Sequence, residues 1–362
     1  MASKTSARHV AYLPVDPRSY SPGIALIGCG FISTMQLAAY RDADYRVLAL
    51  CDIHEEKAIR RQKEFFPGAA VTTDYRQVLA RDDIGIVDIA TQVEGRDRLI
   101  RAALEAGKHV LSQKPFVRDL RLGEELADLA DRRKRILAVN QNGRWAPHFS
   151  YLLQAAHGGL IGHVTSGDFA VYWPHDLDVE HHAVFATMPD LILWDFGIHW
   201  FDVIALLFKD AGPATSVYAQ LGVRQGQAIT VPTWAQVLIE FQNASATLVL
   251  RGSSRFREQG RYRVDGDEGA ILHDGAALGG YTVEVHSGEG VTMVDLQGTW
   301  WTNGMHGTMA ELMRSIEEGR APSNGARASL PGLALCFAAL QSARSHEPVD
   351  PRTVRRPPDP AR

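Results

Sequence analysis

The sequence has few cysteines, no long apolar run and no excess of charge of one sign. Its three cysteines, Cys29, Cys51 and Cys336, do not suggest a disulfide framework and indicate a reducing compartment. No apolar stretch is long enough to cross a bilayer, and residues 1–22 lack the apolar core of a secretory signal. A net charge of −4 gives no electrostatic reason to expect nucleic acid or a membrane as a partner. We therefore expect a cytoplasmic protein.

The length and composition are those of a globular protein with two domains. The chain of 362 residues is 45% apolar and 22% charged, which is enough to bury two separate cores. An arm that contains several prolines and lacks periodicity comes first, and it could pack on a neighbouring subunit. We predict an arm over 1–22, a first domain over 23–143, a second domain over 144–350 and a tail over 351–362.

A glycine-rich turn follows the first apolar run, at residues 24–27. The turn reads GCGFIS over residues 28–33 and leads into a helical stretch, which matches the dinucleotide-binding pattern G-x-G-x-x-G/A. Gly28 would allow the tight turn, and Gly30 would let a pyrophosphate approach the N–H groups of the helix N-terminus. Glycines in an ordinary turn are the alternative, and the strand before and the helix after argue against it.

The second predicted strand ends on an acid at the spacing that such a site needs. Asp52 closes the run 46–51 and lies 24 residues after Gly28, near the spacing of the carboxylate that binds the ribose hydroxyls. A carboxylate there accepts a hydrogen bond from a free 2′-hydroxyl and repels a 2′-phosphate. No arginine occurs among residues 53–56. The sequence therefore favours NAD over NADP.

Strand-like and helix-like segments alternate through the rest of the first domain. Apolar strands at 84–90, 108–112 and 136–139 are separated by helical patterns at 97–106 and 120–133. This alternation predicts a Rossmann domain, a parallel sheet wound by helices, whose ligands bind beyond the carboxyl ends of the strands. Residues 91–92, 113–115 and 140–142 are then the rim. The predicted cofactor contacts are Gly28, Gly30, Phe31, Ile32, Asp52, Thr91, Gln113 and Lys114.

The candidate catalytic groups are Lys114 and the ionisable residues within an apolar stretch of the second domain. Lys114 follows a strand and precedes Pro115, which restricts its backbone; an ordinary surface lysine is the alternative. In the stretch 193–208, Asp195, His199 and Asp202 would share one face of a helix. Unpaired ionisable groups are costly in such surroundings. We expect this face to line a cleft for the nicotinamide, with a structural Asp–His pair as the alternative.

A cluster of histidines and acids in the second domain does not predict a metal site. These residues lack the regular spacing of zinc ligands and occupy a polar segment that we expect to be a loop, solvated or in contact with substrate. They are His175, Asp176, Asp178, Glu180, His181 and His182.

The second domain reads as an α+β domain with a mostly antiparallel sheet. Short segments with period-two patches predict strands at 164–172, 214–221, 233–241, 246–251, 259–264 and 282–285. Three aromatic pairs and one arginine could line a substrate site, with core or interface packing as the alternative for each tryptophan. They are Arg144 with Trp145, Tyr172 with Trp173, and Trp300 with Trp301.

With these residues in place, the chain resembles the glucose–fructose oxidoreductase / inositol dehydrogenase / MocA family over residues 23–350. The resemblance is carried by the turn at 28–33, Asp52, the triplet 113–115, the stretch 195–202 and the C-terminal segments 309–322 and 330–345. It implies an open-faced sheet and a homodimer or homotetramer. It also implies an NAD-dependent dehydrogenase that acts on a hydroxyl of a sugar, polyol or inositol-like substrate.

The family resemblance implies catalytic roles for Lys114, Asp195 and His199. His199 would move the hydroxyl proton, Lys114 would stabilise the developing alkoxide, and Asp195 would bind the substrate or the base. Asp202 could orient the imidazole. Gln113 stands where the family usually has Glu, and Ser33 stands at the third small position of the turn. Gln113 weakens a residue-by-residue transfer of the mechanism.

Two other functions are compatible with the sequence. An NAD-dependent glycosidase of the same family would oxidise a sugar carbon transiently and return NAD at the end. A sensor without catalysis would bind NAD and a sugar, although Lys114, Asp195 and His199 argue against it.

Overall fold

The computed structural model describes residues 6–358, so the first five residues of the predicted arm and the last four of the predicted tail lie outside the described residues. The strands are β1 (Gly23–Ile27), β2 (Val47–Cys51), β3 (Ala70–Thr72), β4 (Ile84–Ile89), β5 (His109–Gln113), β6 (Leu137–Asn140), β7 (Val164–Tyr172), β8 (Ala214–Gly222), β9 (Trp234–Phe241), β10 (Ser245–Arg251), β11 (Gln259–Gly266), β12 (Gly269–Gly275), β13 (Thr282–Ser287) and β14 (Gly290–Asp295). The helices are α1 (Phe31–Asp42), α2 (Glu55–Phe65), α3 (Tyr75–Leu79), α4 (Arg96–Glu105), α5 (Leu120–Arg132), α6 (Pro147–His157), α7 (His175–Val179), α8 (Ala183–Ala186), α9 (Ile198–Leu207), α10 (Trp300–Glu318) and α11 (Ala326–Ser345). Within the described residues, none of these helices combines the length and the apolar composition that a membrane crossing needs.

The chain forms two compact units. The parallel-sheet unit comprises Leu13–Trp145 and Trp300–Leu330, and the mixed-sheet unit comprises Ala146–Thr299 with the described parts of Met1–Tyr12 and Pro331–Arg362. The boundary predicted after residue 143 lies two residues from the end of the first segment. The predicted second domain differs from the structure at 300–330, because α10 packs in the parallel-sheet unit.

The parallel-sheet unit contains the six-stranded sheet that the alternation of segments predicts. Its strand order is β3-β2-β1-β4-β5-β6, and every neighbouring pair is parallel. All five residues of β1 are buried, as its apolar run predicts. The strand order reverses between β1 and β4, which is where ligands bind in sheets of this type. The edge strand β3 has only three residues and was not predicted.

Helix α10 completes the core of the parallel-sheet unit. Met309, Leu312 and Met313 belong to the same buried apolar cluster as Leu26 and Leu37. The carboxylate of Glu317, on the same helix, accepts hydrogen bonds from the backbone N–H groups of residues 18, 19 and 20 at 2.7, 2.7 and 2.9 Å. This part of the predicted arm is therefore bound to its own chain.

The mixed-sheet unit contains an eight-stranded sheet with one open face. Its order is β14-β13-β12-β11-β7-β10-β9-β8, and the pairs are antiparallel except for β7 with β10. Along β9 buried and exposed residues alternate, so only one face is covered. This confirms the predicted mostly antiparallel, open-faced sheet. Strands β12 and β14 were not predicted, and β14 has no buried residue to produce an apolar pattern.

A carboxylic acid is buried in the core of the parallel-sheet unit. Asp88, on β4, is fully buried, and its Oδ2 accepts hydrogen bonds from Tyr40 at 2.7 Å and Gln36 at 2.8 Å. Burial raises the pKa of Asp88 to about 7, although the two hydrogen bonds act in the opposite direction. Both donors lie on α1, so this acid ties α1 to the sheet.

The Asp88 carboxyl should make stability fall as the pH rises. Between the ordinary pKa of 3.8 and about 7, the folded protein holds a proton that the unfolded chain has released. In Asp88→Asn this dependence is absent, so the variant should gain about 2–3 kcal/mol relative to the natural protein between about pH 5 and about pH 8. Denaturant unfolding at both pH values measures the difference. A difference that stays constant with pH would show that Asp88 does not titrate in this range.

Candidate active site

The glycine turn at the end of β1 has the shape that a dinucleotide phosphate needs. Gly28 has φ of +100°, and a Cβ there would lie 2.8 Å from the Ala90 carbonyl, so the turn requires glycine. A Cβ on Gly30 would meet nothing within 4 Å. Gly30 is the N-cap of α1 and makes no side-chain cap hydrogen bond, and the N-terminal end of a helix favours an anion.

Asp52 is held beside this turn by two backbone N–H groups. Its Oδ2 accepts from Cys29 N at 2.7 Å and its Oδ1 from His54 N at 2.9 Å. Because a carboxylate oxygen can accept more than one hydrogen bond, both oxygens keep capacity for ribose hydroxyls. Burial, reinforced by the charge of Asp52, raises the pKa of the Cys29 thiol to about 12, so Cys29 stays neutral. The sequence prediction of Cys29 as a small buried side chain agrees with this environment.

Arg61 supports the turn, and sequence reasoning missed it. The Ser33 hydroxyl donates to Gly30 O at 2.6 Å, while Arg61 donates from Nε to Ser33 Oγ at 3.1 Å and from Nη2 to Gly30 O at 3.2 Å. Ser33 is fully buried. The third position of the turn is therefore a hydrogen-bonding residue as well as a small one. Arg61 lies on α2, 28 residues from Ser33, and no motif in the sequence marks it.

A second missed arginine joins the ends of β4 and β5. Arg96 is 2% exposed and donates to the carbonyl oxygens of Gln113, of Pro115 (at 2.6 Å) and of Thr91 (at 3.1 Å from Nε). The carbonyls of Gln113 and Pro115 flank Lys114 on both sides, and all three belong to the predicted rim. Arg96 therefore fixes the backbone from which the lysine side chain extends.

Lys114 itself is half-buried at the carboxyl end of β5. Its peptide bond to Pro115 is cis. The backbone N–H of Lys114 donates to Gln113 Oε1 at 2.8 Å, so the glutamine side chain folds back on the lysine backbone. The Gln113 amide nitrogen is buried and has no hydrogen-bond partner in the described part of the chain.

In the mixed-sheet unit, the stretch with Asp195 and His199 is not one continuous helix. Residues Ile192–Phe196 form a π-helical turn, closed by a bond from Gly197 N to Ile192 O at 2.9 Å, and α9 begins after it. A Cβ on Gly197 would lie 2.9 Å from Ile192 O, so the turn needs glycine. Asp195 is therefore on the turn, and the prediction of one straight helical face for all three residues was wrong.

The ionisable residues of this stretch differ in exposure. His199 and Asp202 are 7% and 2% exposed on α9, whereas Asp195 is half-buried. π-Helical turns of this kind are frequent at functional sites. The apolar surroundings that the sequence predicts for these groups are present, since the α9 residues between them are buried.

Two residues of the predicted substrate set have structural contacts in the parallel-sheet unit. Arg144 is 4% exposed and donates to the carbonyls of Ser323 and, at 3.2 Å, of Ala328. Trp145 packs against Gly307 of α10, where a Cβ would lie 2.2 Å from the indole ring. Arg144 and Trp145 therefore both have packing or hydrogen-bond partners within the parallel-sheet unit.

The other aromatic residues of the predicted substrate set differ in their exposure. Trp300 is 2% exposed and donates to Asn142 Oδ1 at 2.9 Å, which is a core role. Tyr172 and Trp173 are half-buried at the end of β7, and the Trp173 indole donates to Asp178.

Half of the cluster of histidines and acids is helical, which differs from the expected loop: His175, Asp176 and Asp178 lie on α7, whereas residues 180–182 connect α7 to α8. Asp176 is fully buried and accepts from both Nη atoms of Arg255, at 2.8 and 2.6 Å. Although burial alone would raise it, Arg255 and the Ala228 amide hold the pKa of Asp176 below its usual value. His175 stacks on Phe196, with ring centroids 4.5 Å apart. Within residues 6–358 no group of three such side chains is arranged to hold a metal ion.

The residues of the parallel-sheet unit fit NAD. The open space beside Gly30, the uncapped start of α1 and the oriented carboxylate of Asp52 lie at the carboxyl ends of β1 and β2. Gln113 adds a buried amide nitrogen without a partner at the end of β5, and such a group requires a hydrogen-bond acceptor.

Comparison with known proteins agrees with this geometry. A model of an oxidoreductase family with an NAD-binding Rossmann fold matches residues 23–141, and a GFO/IDH/MocA C-terminal domain model matches residues 149–272. A D-apiose dehydrogenase of Paraburkholderia graminis is 28% identical, with 91% of this chain and 90% of that protein covered. An inositol 2-dehydrogenase of Rhizobium meliloti is 26% identical, over 88% of this chain and 95% of that one.

A solved structure shares the whole fold. An oxidoreductase from Agrobacterium radiobacter, crystallised with NAD+, L-tartaric acid and magnesium, has a TM-score of 0.82 at 24% identity, over 92% of this chain and 99% of that one. The fold and the site thus define an NAD-binding oxidoreductase with a Rossmann domain. The chain belongs to the glucose–fructose oxidoreductase / inositol dehydrogenase / MocA family.

Removing the Arg96 guanidinium should destabilise the protein. Arg96→Ala leaves the carbonyls of Thr91, Gln113 and Pro115 without their donor, at a cost of about 3 kcal/mol or more in the free energy of unfolding. Arg96→Lys should recover little, because one ammonium cannot reproduce the guanidinium fork. Arg98→Ala, on the exposed side of α4, is the control. Equal stabilities of the Arg96→Ala and Arg98→Ala variants would contradict this role.

Proposed function

We propose that this protein is an NAD-dependent dehydrogenase that oxidises a hydroxyl group of a sugar, polyol or inositol-like substrate. The observation that carries the proposal is the Rossmann edge at which Asp52, the glycine turn and Lys114 follow β2, β1 and β5. The D-apiose and inositol dehydrogenases to which the chain is similar over most of its length support the substrate class. Asp52 supports NAD over NADP, because its carboxylate repels a 2′-phosphate.

The reaction removes a hydride and a proton from one secondary or hemiacetal alcohol. NAD, when bound, supplies the hydride acceptor at its nicotinamide ring. The protein must therefore accept the hydroxyl proton and stabilise the charge that develops on the oxygen. The products are a carbonyl compound, NADH and one proton.

Lys114 has the properties of the group that stabilises this oxygen. Its ammonium provides donors for a developing alkoxide, and Arg96 and Gln113 hold its backbone. A partly desolvated position strengthens such an interaction, because water screens the charge less. Lys114 is half-buried, which meets this condition.

His199 and Asp195 are the proposed proton-transfer and substrate-binding groups. Imidazole is suited to general acid–base catalysis near neutral pH. His199 is 7% exposed, so its surroundings limit exchange with bulk water. Asp195, half-buried on the π-helical turn, would bind a substrate hydroxyl, and the buried Asp202 would orient His199.

The experiment that tests the proposal follows NADH absorbance across inositols, aldoses, sugar acids and glycosides. We expect NADH to form in step with an oxidised product for one class. Lys114→Ala should lower kcat by about a thousandfold, with NAD binding, measured by titration, nearly unchanged. Lys63→Ala, an exposed lysine on α2, is the matched control and should turn over normally.

Other outcomes point elsewhere. Cleavage of a glycoside without net NADH would replace the dehydrogenase with the glycosidase. Sugar binding without any turnover would support the sensor. Normal turnover by Lys114→Ala would remove Lys114 from the mechanism.

We also propose that the open sheet face joins copies of the chain into a homodimer or homotetramer. One cross-strand row on that face has apolar ends, Leu238 on β9 and Met293 on β14, which are 43% and 58% exposed. Between these ends the row consists of Thr247, Asp168, Arg263, Leu272 and Glu284. Apolar groups exposed along a sheet face favour association. Light scattering of the natural protein should give a molar mass of two or four chains. The Leu238→Asp variant should give a lower molar mass. A molar mass of one chain for the natural protein would contradict the proposal. The three buried cysteines, which fit a reducing compartment, support a cytoplasmic location, and cell fractionation would test it.

A further inference from the structure

A glutamine at the end of β6 has a buried side-chain amide without a hydrogen-bond partner among the described residues. Gln141 directly follows the last residue of β6 and is 1% exposed. Neither its Oε1 nor its Nε2 has a hydrogen-bond partner in the described part of the chain. A buried polar group without a hydrogen-bond partner destabilises the folded protein. Both atoms therefore require a partner from outside the described residues.

A second unpaired amide lies at the end of the neighbouring strand. Gln113 on β5 and Asn140 on β6 are direct partners in the parallel ladder, so Gln113 and Gln141 stand at the same end of one strand pair. The Gln113 Nε2 is likewise buried and unpaired within the described residues. This strand pair thus ends in amide groups that need both a donor and an acceptor.

The strand order indicates which part of the cofactor lies there. Asp52, the residue for the ribose hydroxyls, follows β2, and the phosphate turn follows β1. A dinucleotide that crosses the edge from β2 through β1 continues over β4, β5 and β6, on the other side of the switch point. This step rests on the proposed placement of NAD. It assigns β5 and β6 to the nicotinamide half.

We propose that Gln141 recognises the carboxamide of the nicotinamide. A primary carboxamide has one carbonyl acceptor and an NH2 donor, and the Gln141 side chain offers the complementary pair. Gln113 Nε2 supplies a further donor at the same strand ends. A buried water could use the same atoms, since buried waters pair with groups of this kind. The affinity for NAD distinguishes the two, because it depends on Gln141 only if the nicotinamide carboxamide, and not a water, binds there.

The test compares two ligands on Gln141→Leu, which keeps the approximate volume and removes both polar atoms. NAD should bind about tenfold more weakly than to the natural protein, the loss expected for buried hydrogen bonds. ADP-ribose has no nicotinamide, so its affinity should be unchanged. Titration calorimetry measures both dissociation constants without requiring turnover. Unchanged NAD binding would assign Gln141 to a water, and equal weakening of both ligands would make its role structural.

Two further measurements separate this proposal from the placement on which it rests. Asp52→Ala should weaken NAD and ADP-ribose alike; if neither weakens, the placement of NAD is wrong and not only the role of Gln141. The natural protein should bind 3-acetylpyridine adenine dinucleotide, which lacks the carboxamide NH2, several-fold more weakly than NAD. Equal affinity for the two dinucleotides would overturn the proposal even if Gln141→Leu failed to fold.

Discussion

The carboxyl edge of the parallel sheet depends on one buried guanidinium. Where strands of a parallel sheet end, the chain turns away and its carbonyl oxygens lose their ladder partners. Arg96 binds the carbonyls of Thr91, Gln113 and Pro115, which come from the ends of two neighbouring strands. The backbone around Lys114 is thereby fixed by the protein's own groups, as the role proposed for Lys114 requires.

At the same edge, some polar groups have hydrogen-bond partners among the described residues and others have none. Asp52 is oriented by two N–H groups, and the turn is closed by Ser33 and Arg61. The Gln113 amide nitrogen and both polar side-chain atoms of Gln141 have no hydrogen-bond partner within the described residues. Buried polar groups are rarely left open in a folded protein. Their position at the ends of β5 and β6 supports the proposed placement of NAD.

Prediction from sequence worked where the pattern and the physical cause were both local. The strand β1, the turn and Asp52 lie close together in the chain, and burial on both faces produces an apolar run that can be recognised. It failed for β3 and β14, which are short or exposed and have no such run. The π-helical turn was also missed, because the interval between Asp195 and His199 suits an ordinary helix and only Gly197 marks the break.

By itself, the sequence determined the Rossmann domain with its NAD-binding turn, and the residue types on which the proposed chemistry rests. These follow from periodicity and from the chemistry of side chains at strand ends. Only the tertiary structure decided that α10 belongs to the parallel-sheet unit and that Arg144 is a core residue. It also revealed that Arg61 and Arg96 hold the glycine turn and the backbone around Lys114. It further showed that the buried amide of Gln141 has no hydrogen-bond partner among the described residues. The reason is that hydrogen bonds between residues distant in the chain leave no period or spacing in the sequence.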